Sequence, residues 1–199
     1  MKKKIPFILI IIIVSLVGYQ SLAYYTTNTT SKNIITTSDI DLSLSVMTLN
    51  DEGELESLNT EAIKVMPGDI YSQIPFVTNT GQETFYTRVY LESEIVDEDG
   101  EKIDHEGLVF NIDETKWKLD TEGWYRYADT VSFGENTDPL FTTVTIPTDL
   151  GNEFTEYSMV IRLQAQCVQS QYNLYQESVL EVQGWPEATV TYTVIGGID

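Results

Sequence analysis

The chain opens on Lys2, Lys3 and Lys4 and then runs almost wholly apolar over residues 5–17, where Gly18 breaks the run. Downstream the period changes. Ile40, Leu42, Leu44 and Val46 alternate with Asp41, Ser43 and Ser45, the pattern of a half-buried strand. Phe85, Thr87, Val89 and Leu91 alternate with Tyr86, Arg88 and Tyr90. Bulk on both faces predicts a central strand there. The longest alternation sets Met159, Ile161, Leu163, Ala165 and Cys167 against Arg162, Gln164 and Gln166, and predicts the middle of a sheet. Val190, Tyr192 and Val194 alternate with Thr189, Thr191 and Thr193 in a closing strand. Weaker strands are expected over 63–65, 70–79, 108–112 and 141–146; Pro75 inside the second marks an edge or a bulge.

Turn chemistry separates these runs. Asn50-Asp51-Glu52-Gly53-Glu54, Pro67-Gly68-Asp69 and Thr80-Gly81 are turn clusters. Asp99-Gly100 within 97–101 signals a hairpin. Trp117-Lys118-Leu119 and Trp124-Tyr125-Arg126-Tyr127 form a second hairpin around 120–123. One short helix is expected over 172–183, capped by Asn173 and ended by Gly184. About eight short strands with at most one or two short helices define an all-β, antiparallel sandwich or barrel.

The basic start, the apolar run and the small residues Ser21 and Ala23 make a secretory signal peptide, residues 1–23, cut to leave Tyr24 at the new N-terminus. The competing reading is an uncleaved anchor, but Gln20 and Ser21 interrupt the far end of a span that needs about 20 apolar residues. Residues 24–38 form a Thr- and Asn-rich, strand-prone extension, and residues 39–199 the sandwich domain. Removing Lys2, Lys3 and Lys4 with the leader moves the formal charge from −20 to −23. That balance argues against nucleic acid and anionic lipid as partners. It also leaves room for weak calcium binding that relieves self-repulsion. Twelve Tyr, seven Phe and three Trp argue against disorder. Cys167 is the lone cysteine, so the core holds without an internal disulfide.

Three stretches carry a family resemblance. Ser21-Leu22-Ala23-Tyr24-Tyr25-Thr26 with Ile40-Asp41-Leu42-Ser43-Leu44 resembles the N-terminus of the TasA/camelysin family. So does Val65-Met66-Pro67-Gly68-Asp69 leading into Ile74-Pro75-Phe76-Val77-Thr78-Asn79-Thr80-Gly81, and Gln164-Ala165-Gln166-Cys167-Val168-Gln169 resembles a late core strand of the family. The resemblance implies a Gram-positive secreted protein on a jelly-roll sandwich, released by a dedicated signal peptidase of the SipW type. It also implies a subunit of biofilm-matrix fibres, found in the extracellular matrix or at the cell surface. The membrane is then a partner only before cleavage.

Camelysin is described as a metalloprotease, so the resemblance also implies a surface metalloprotease as an alternative function. His105 is the lone histidine, His-Glu-x-x-His is absent, and Asp104, His105 and Glu106 are contiguous, which on a strand points them apart. No Gly-x-Ser-x-Gly or phosphate loop occurs, and Cys167 lies in an apolar alternation that reads as a core thiol. No catalytic residue, cofactor or metal ligand is assigned, and the protein is not expected to be an enzyme. Asp97 to Glu101 fails the EF-hand spacing and reads as a plain turn. Trp117, Trp124, Tyr125 and Tyr127 either stack on carbohydrate, making a monomeric surface binding module, or hold their hairpin together.

The leading reading is assembly. A strand-prone tail freed at Tyr24 adds to the open sheet edge of another copy, with Tyr24, Tyr25, Ile34 and Ile35 as apolar pegs. The partner is then the chain itself or a related matrix protein. The alternatives are that 24–37 is this domain's own first strand or a loose terminus.

Overall fold

The computed structural model describes residues 40–58, 64–97, 99–102, 107–148, 158–173, 176–186 and 188–198. Strands there are β1 (Leu42–Leu49), β2 (Leu55–Ser57), β3 (Lys64–Val65), β4 (Ile70–Ser72), β5 (Ile74–Asn79) and β6 (Phe85–Val96). They continue as β7 (Val109–Phe110), β8 (Trp117–Leu119), β9 (Trp124–Tyr127), β10 (Thr143–Thr145), β11 (Ser158–Gln169) and β12 (Ala188–Ile198). One layer is a six-stranded sheet in the order β3-β12-β11-β6-β9-β8. The other consists of two three-stranded sheets, β2-β1-β5 and β4-β10-β7. The pairings are antiparallel, apart from the short parallel match of β3 to β12. This is the all-β antiparallel sandwich expected from the sequence.

The alternations build the core directly. Ile40, Leu42, Leu44 and Val46 are buried on one face of β1. Met159, Ile161, Leu163, Ala165 and Cys167 line the inner face of β11, which lies between β12 and β6 as its pattern predicts. They meet Val77, Val144, Phe141 and Val194 in a single cluster. Each such aliphatic side chain contributes about 1.5–3 kcal/mol on burial.

One turn recurs, and its sequence explains it. In Asn50–Glu54, Asp97–Glu101 and Asp120–Trp124 the first side chain's Oδ1 accepts from the amides two and four residues on, at 2.8–3.0 Å. The fourth position is glycine in the left-handed region, with φ 79°, 80° and 87° at Gly53, Gly100 and Gly123. Only glycine adopts that backbone without steric cost.

The 70–79 run is broken at Gln73, not at Pro75. The chain passes from β4 in one small sheet to β5 in the other, so one apolar run feeds two sheets. Pro75 lies inside β5, an edge strand, as the sequence rule requires. The outer side of β5 accepts at its Pro75 and Val77 carbonyls from Leu140 and Thr137. A proline there forfeits no ladder bond to β1.

The predicted helix over 172–183 does not form. Two 3-10 turns, Ser170–Asn173 and Val179–Glu181, stand in its place. Asn173 is not a cap. Its buried amide donates to the Gln183 carbonyl at 3.3 Å and accepts from the Gln183 amide at 3.1 Å, tying the excursion shut.

Candidate functional site

The β8–β9 hairpin carries the aromatic residues singled out from the sequence, and the sheet splits them between two faces. Register sets Trp117 opposite Tyr127 and Leu119 opposite Tyr125 on the inner face. Trp124 and Arg126 fall on the outer face, opposite Tyr90 and Arg88. Trp117 is 1% exposed. Its ring lies 5.1 Å from that of Tyr127, and its indole N–H is shared between the Asp138 and Pro139 carbonyls at 3.2 and 3.1 Å. The Tyr127 hydroxyl donates to Asp138 Oδ2 at 2.7 Å, where Lys116 Nζ also sits at 3.2 Å. Trp117 is therefore a core pin, and a binding surface made jointly by Trp117 and Trp124 is ruled out by their opposite faces.

Inside the sandwich edge, β7 and β8 are the last strands of their respective sheets. Leu119, on the inner face of β8, is 57% exposed. The result is an open groove of about 540 Å³, floored by Trp117 and walled by Phe110, Ile112, Leu119, Tyr125 and Leu180, with Glu114 and Lys118 at its rim. Two strand edges beside the exposed Leu119 and Leu180 are a geometry that strand addition uses.

On the outer face an arginine–aromatic ladder runs Trp185, Arg88, Trp124, Tyr90. The Arg88 guanidinium lies 4.8 Å from the Trp185 ring and 4.2 Å from the Trp124 ring. Trp124 and Tyr90 follow at 5.4 Å. Arg88 donates from Nε and Nη2 to Gln166 Oε1 at 3.0 and 2.8 Å. Burial, then the neighbouring Arg126 charge, lower the Arg88 pKa, against the raising influence of Asp120 and Glu122. Arg126 Nε donates to Asp120 Oδ2 at 2.7 Å, and its Nη1 donates to the Leu180 and Val182 carbonyls at 3.0 and 2.9 Å. The hairpin thereby holds the 176–186 excursion against the sheet.

Asp120 sets an acid dependence. Its desolvation opposes ionisation, but the Trp124 amide, the Arg126 guanidinium and the Glu122 amide outweigh it and hold the carboxyl below the usual carboxylate range. In the unfolded chain an aspartate titrates near about 3.9. Stability from this group is present above that value and is lost as pH falls through the lower folded value. The urea midpoint is expected to drop on acidification below about pH 4. Asp120→Asn should start lower at neutral pH and lose less, which midpoints at both pH values check.

The other residues marked from the sequence fall as follows. Ser21, Ala23, Tyr24, Tyr25, Ile34, Ile35 and His105 lie outside the described residues. Cys167 is buried in the core on β11. Asp97 commits Oδ1 to the amides of its own turn. Among the described residues no group of three or more His, Cys, Asp or Glu side chains is placed to hold a metal.

No family model matches the chain, and no curated protein matches it. Among solved structures it is similar to Spo0M, a sporulation control protein from Bacillus subtilis, with TM-score 0.37 and 12% identity over 79% of this chain and 49% of that one. The chain thus spans about half the length of Spo0M. It is also similar to AvmM, which catalyses macrocyclization in alchivemycin A biosynthesis, with TM-score 0.34 and 8% identity over 81% of this chain and 90% of that one. A family 123 glycoside hydrolase from Clostridium perfringens follows, with TM-score 0.31 and 11% identity over 79% of this chain and 27% of that one. Likenesses this low carry no statement about function.

Proposed function

We propose that this is a secreted structural protein of the TasA/camelysin kind, a subunit or accessory of an extracellular matrix fibre. The N-terminal segment 24–37 of one copy adds as a strand to the β7/β8 groove of the next. The observation that carries this reading is the groove itself. It places two sheet edges beside apolar wall positions, including the exposed Leu119 and Leu180, that no strand among the described residues covers.

The segment fits in length and charge. Extended, 24–37 reaches about 45 Å, ample for short edges such as β7 and β8. It carries Lys32 and no acidic residue, while the remainder of the chain holds all 31 acids. Attraction between tail and domain therefore favours encounter at low salt. A head-to-tail contact does not close on itself, so it propagates into a fibre.

Leu119→Lys tests this. The side chain is more than half exposed, so the monomer should keep its melting temperature. Negative-stain electron microscopy of the mature chain should show filaments for the wild type and at least tenfold fewer for Leu119→Lys, since a charge in the groove costs about 1.4 kcal/mol or more. Filaments at wild-type yield in the variant would overturn the assignment.

A further inference from the structure

The outer face of the six-stranded sheet carries an array that neither the assembly groove nor the core uses. Register aligns Thr191, Gln164, Tyr90 and Trp124 in one row across β12, β11, β6 and β9. The row spans three strand spacings, about 14 Å. Beside it run Thr193, Arg162 and Glu92. On the opposite side run Thr189, Gln166, Arg88 and Arg126, where Trp185 rises over the two arginines as a wall. The face is thus a shelf with one closed end. Tyr90 is 38% exposed, and Thr191 and Glu92 are exposed.

From this array we infer that the shelf binds a neutral polysaccharide. The charges on the face are already matched. Arg162 pairs with Glu94 and lies 3.7 Å from Glu92, Arg126 pairs with Asp120 at 2.7 Å, and Arg88 sits 3.8 Å from Glu122. No unmatched cation is left to recruit an anion, and the chain's formal charge of −20 repels anionic polymers. The shelf also differs from a protein-docking patch. Its rows offer hydroxyls, an amide, a matched ion pair and two rings, with one exposed aliphatic side chain, Ile195, in the next row, whereas the exposed Leu119 and Leu180 line the groove. Such a surface suits a chain of hydroxyl groups with apolar C–H faces. The Gln164 amide and the Thr191 and Thr193 hydroxyls both donate and accept. The rings of Tyr90 and Trp124 supply flat apolar area with few rotatable bonds. The ladder supplies preorganisation: held by the Arg88 guanidinium at 4.2 Å and the Tyr90 ring at 5.4 Å, Trp124 has little freedom left to lose on binding.

The test is affinity electrophoresis of the mature chain through native gels cast with mixed-linkage β-glucan, glucomannan, xylan or dextran, and with polygalacturonate as the anionic control. Leu119→Lys serves as background, which removes any contribution of polymer growth. At least one neutral polysaccharide should retard the protein. Tyr90→Ala and Gln164→Ala, both confirmed folded by circular dichroism, should weaken that retardation about tenfold for the ring and several-fold for the amide. The inference is overturned if no neutral polysaccharide retards the protein, if both variants are retarded like their parent, or if polygalacturonate alone retards it. Binding by the wild type that is absent in the Leu119→Lys background would place the ligand in the groove and likewise overturn it. Failure of the filament experiment leaves this outcome untouched, because the two faces share no tested residue.

Discussion

Arg126→Ala is expected to lose about 3–5 kcal/mol of stability, the size typical of removing one partner from a buried ion pair. Both partners are withdrawn from water, with side chains 10% and 7% exposed. Alanine leaves Asp120 as a desolvated carboxylate whose remaining bonds are the turn amides. It also removes the Arg126 donor from the Leu180 carbonyl and leaves the Val182 carbonyl with the Trp185 indole N–H alone, so the 176–186 excursion loses its tie to β9. Lysine should not rescue, because a single ammonium cannot serve a carboxylate from one nitrogen and two carbonyls from another. Urea unfolding of the variant checks the magnitude. The same measurement on Arg162→Ala should show a smaller loss, about 1 kcal/mol, because the Arg162 side chain is 43% exposed and water can replace it at Glu94.

Trp117→Ala should rank beside it, at about 3–5 kcal/mol, which is the range for truncating a buried tryptophan. The ring is the largest fully buried side chain, and nothing adjacent replaces it. Its loss opens the sandwich under the groove, where the 138–140 segment is held by the indole N–H and by the neighbouring Tyr127–Asp138 bond. Trp117→Phe separates the two contributions. It keeps most of the volume and drops the N–H, so the cost should fall to about 1–2 kcal/mol. Against a total stability of about 5–15 kcal/mol, the alanine variant should be partly unfolded at modest temperature. Chemical denaturation with near-ultraviolet circular dichroism follows both.

The strands that organise the sandwich were legible because their patterning is local. β1, β6, β11 and β12 each alternate in sequence; burial follows residue by residue in β1, while in β6 and β11 Arg88, Val160 and Gln166 on the other face are buried as well. The recurrent turn was legible from an Asn or Asp three residues before a glycine. What escaped depends on contacts between distant residues. β2 has all of Leu55, Glu56 and Ser57 exposed, so no burial pattern marks it. Residues 172–183 had helical composition, but Asn173 binds Gln183 and Arg126 draws Val182 onto the sheet, and those contacts outweigh weak propensity. The groove forms where the last strands of two different sheets, β7 and β8, come together, which no single strand reports. The ladder joins Arg88, Trp124 and Trp185 from three separate elements. Its one local hint was a pair of arginines inside strand patterns, since a buried charge needs a partner.

Strand exchange between copies is tested most directly by a mixed cross-linking experiment. In a Cys167→Ala background of the mature chain, one preparation carries Ile35→Cys and the other Leu119→Cys, and the two are mixed under mild oxidation. A disulfide forms only where the two Cα atoms come within about 7 Å. The expected result is a covalent heterodimer far above that given by a control cysteine at Glu52, on the exposed 50–54 turn. A yield no higher than the control, or a link that forms only within one chain when both cysteines are placed on it, would contradict assembly through the β7/β8 groove.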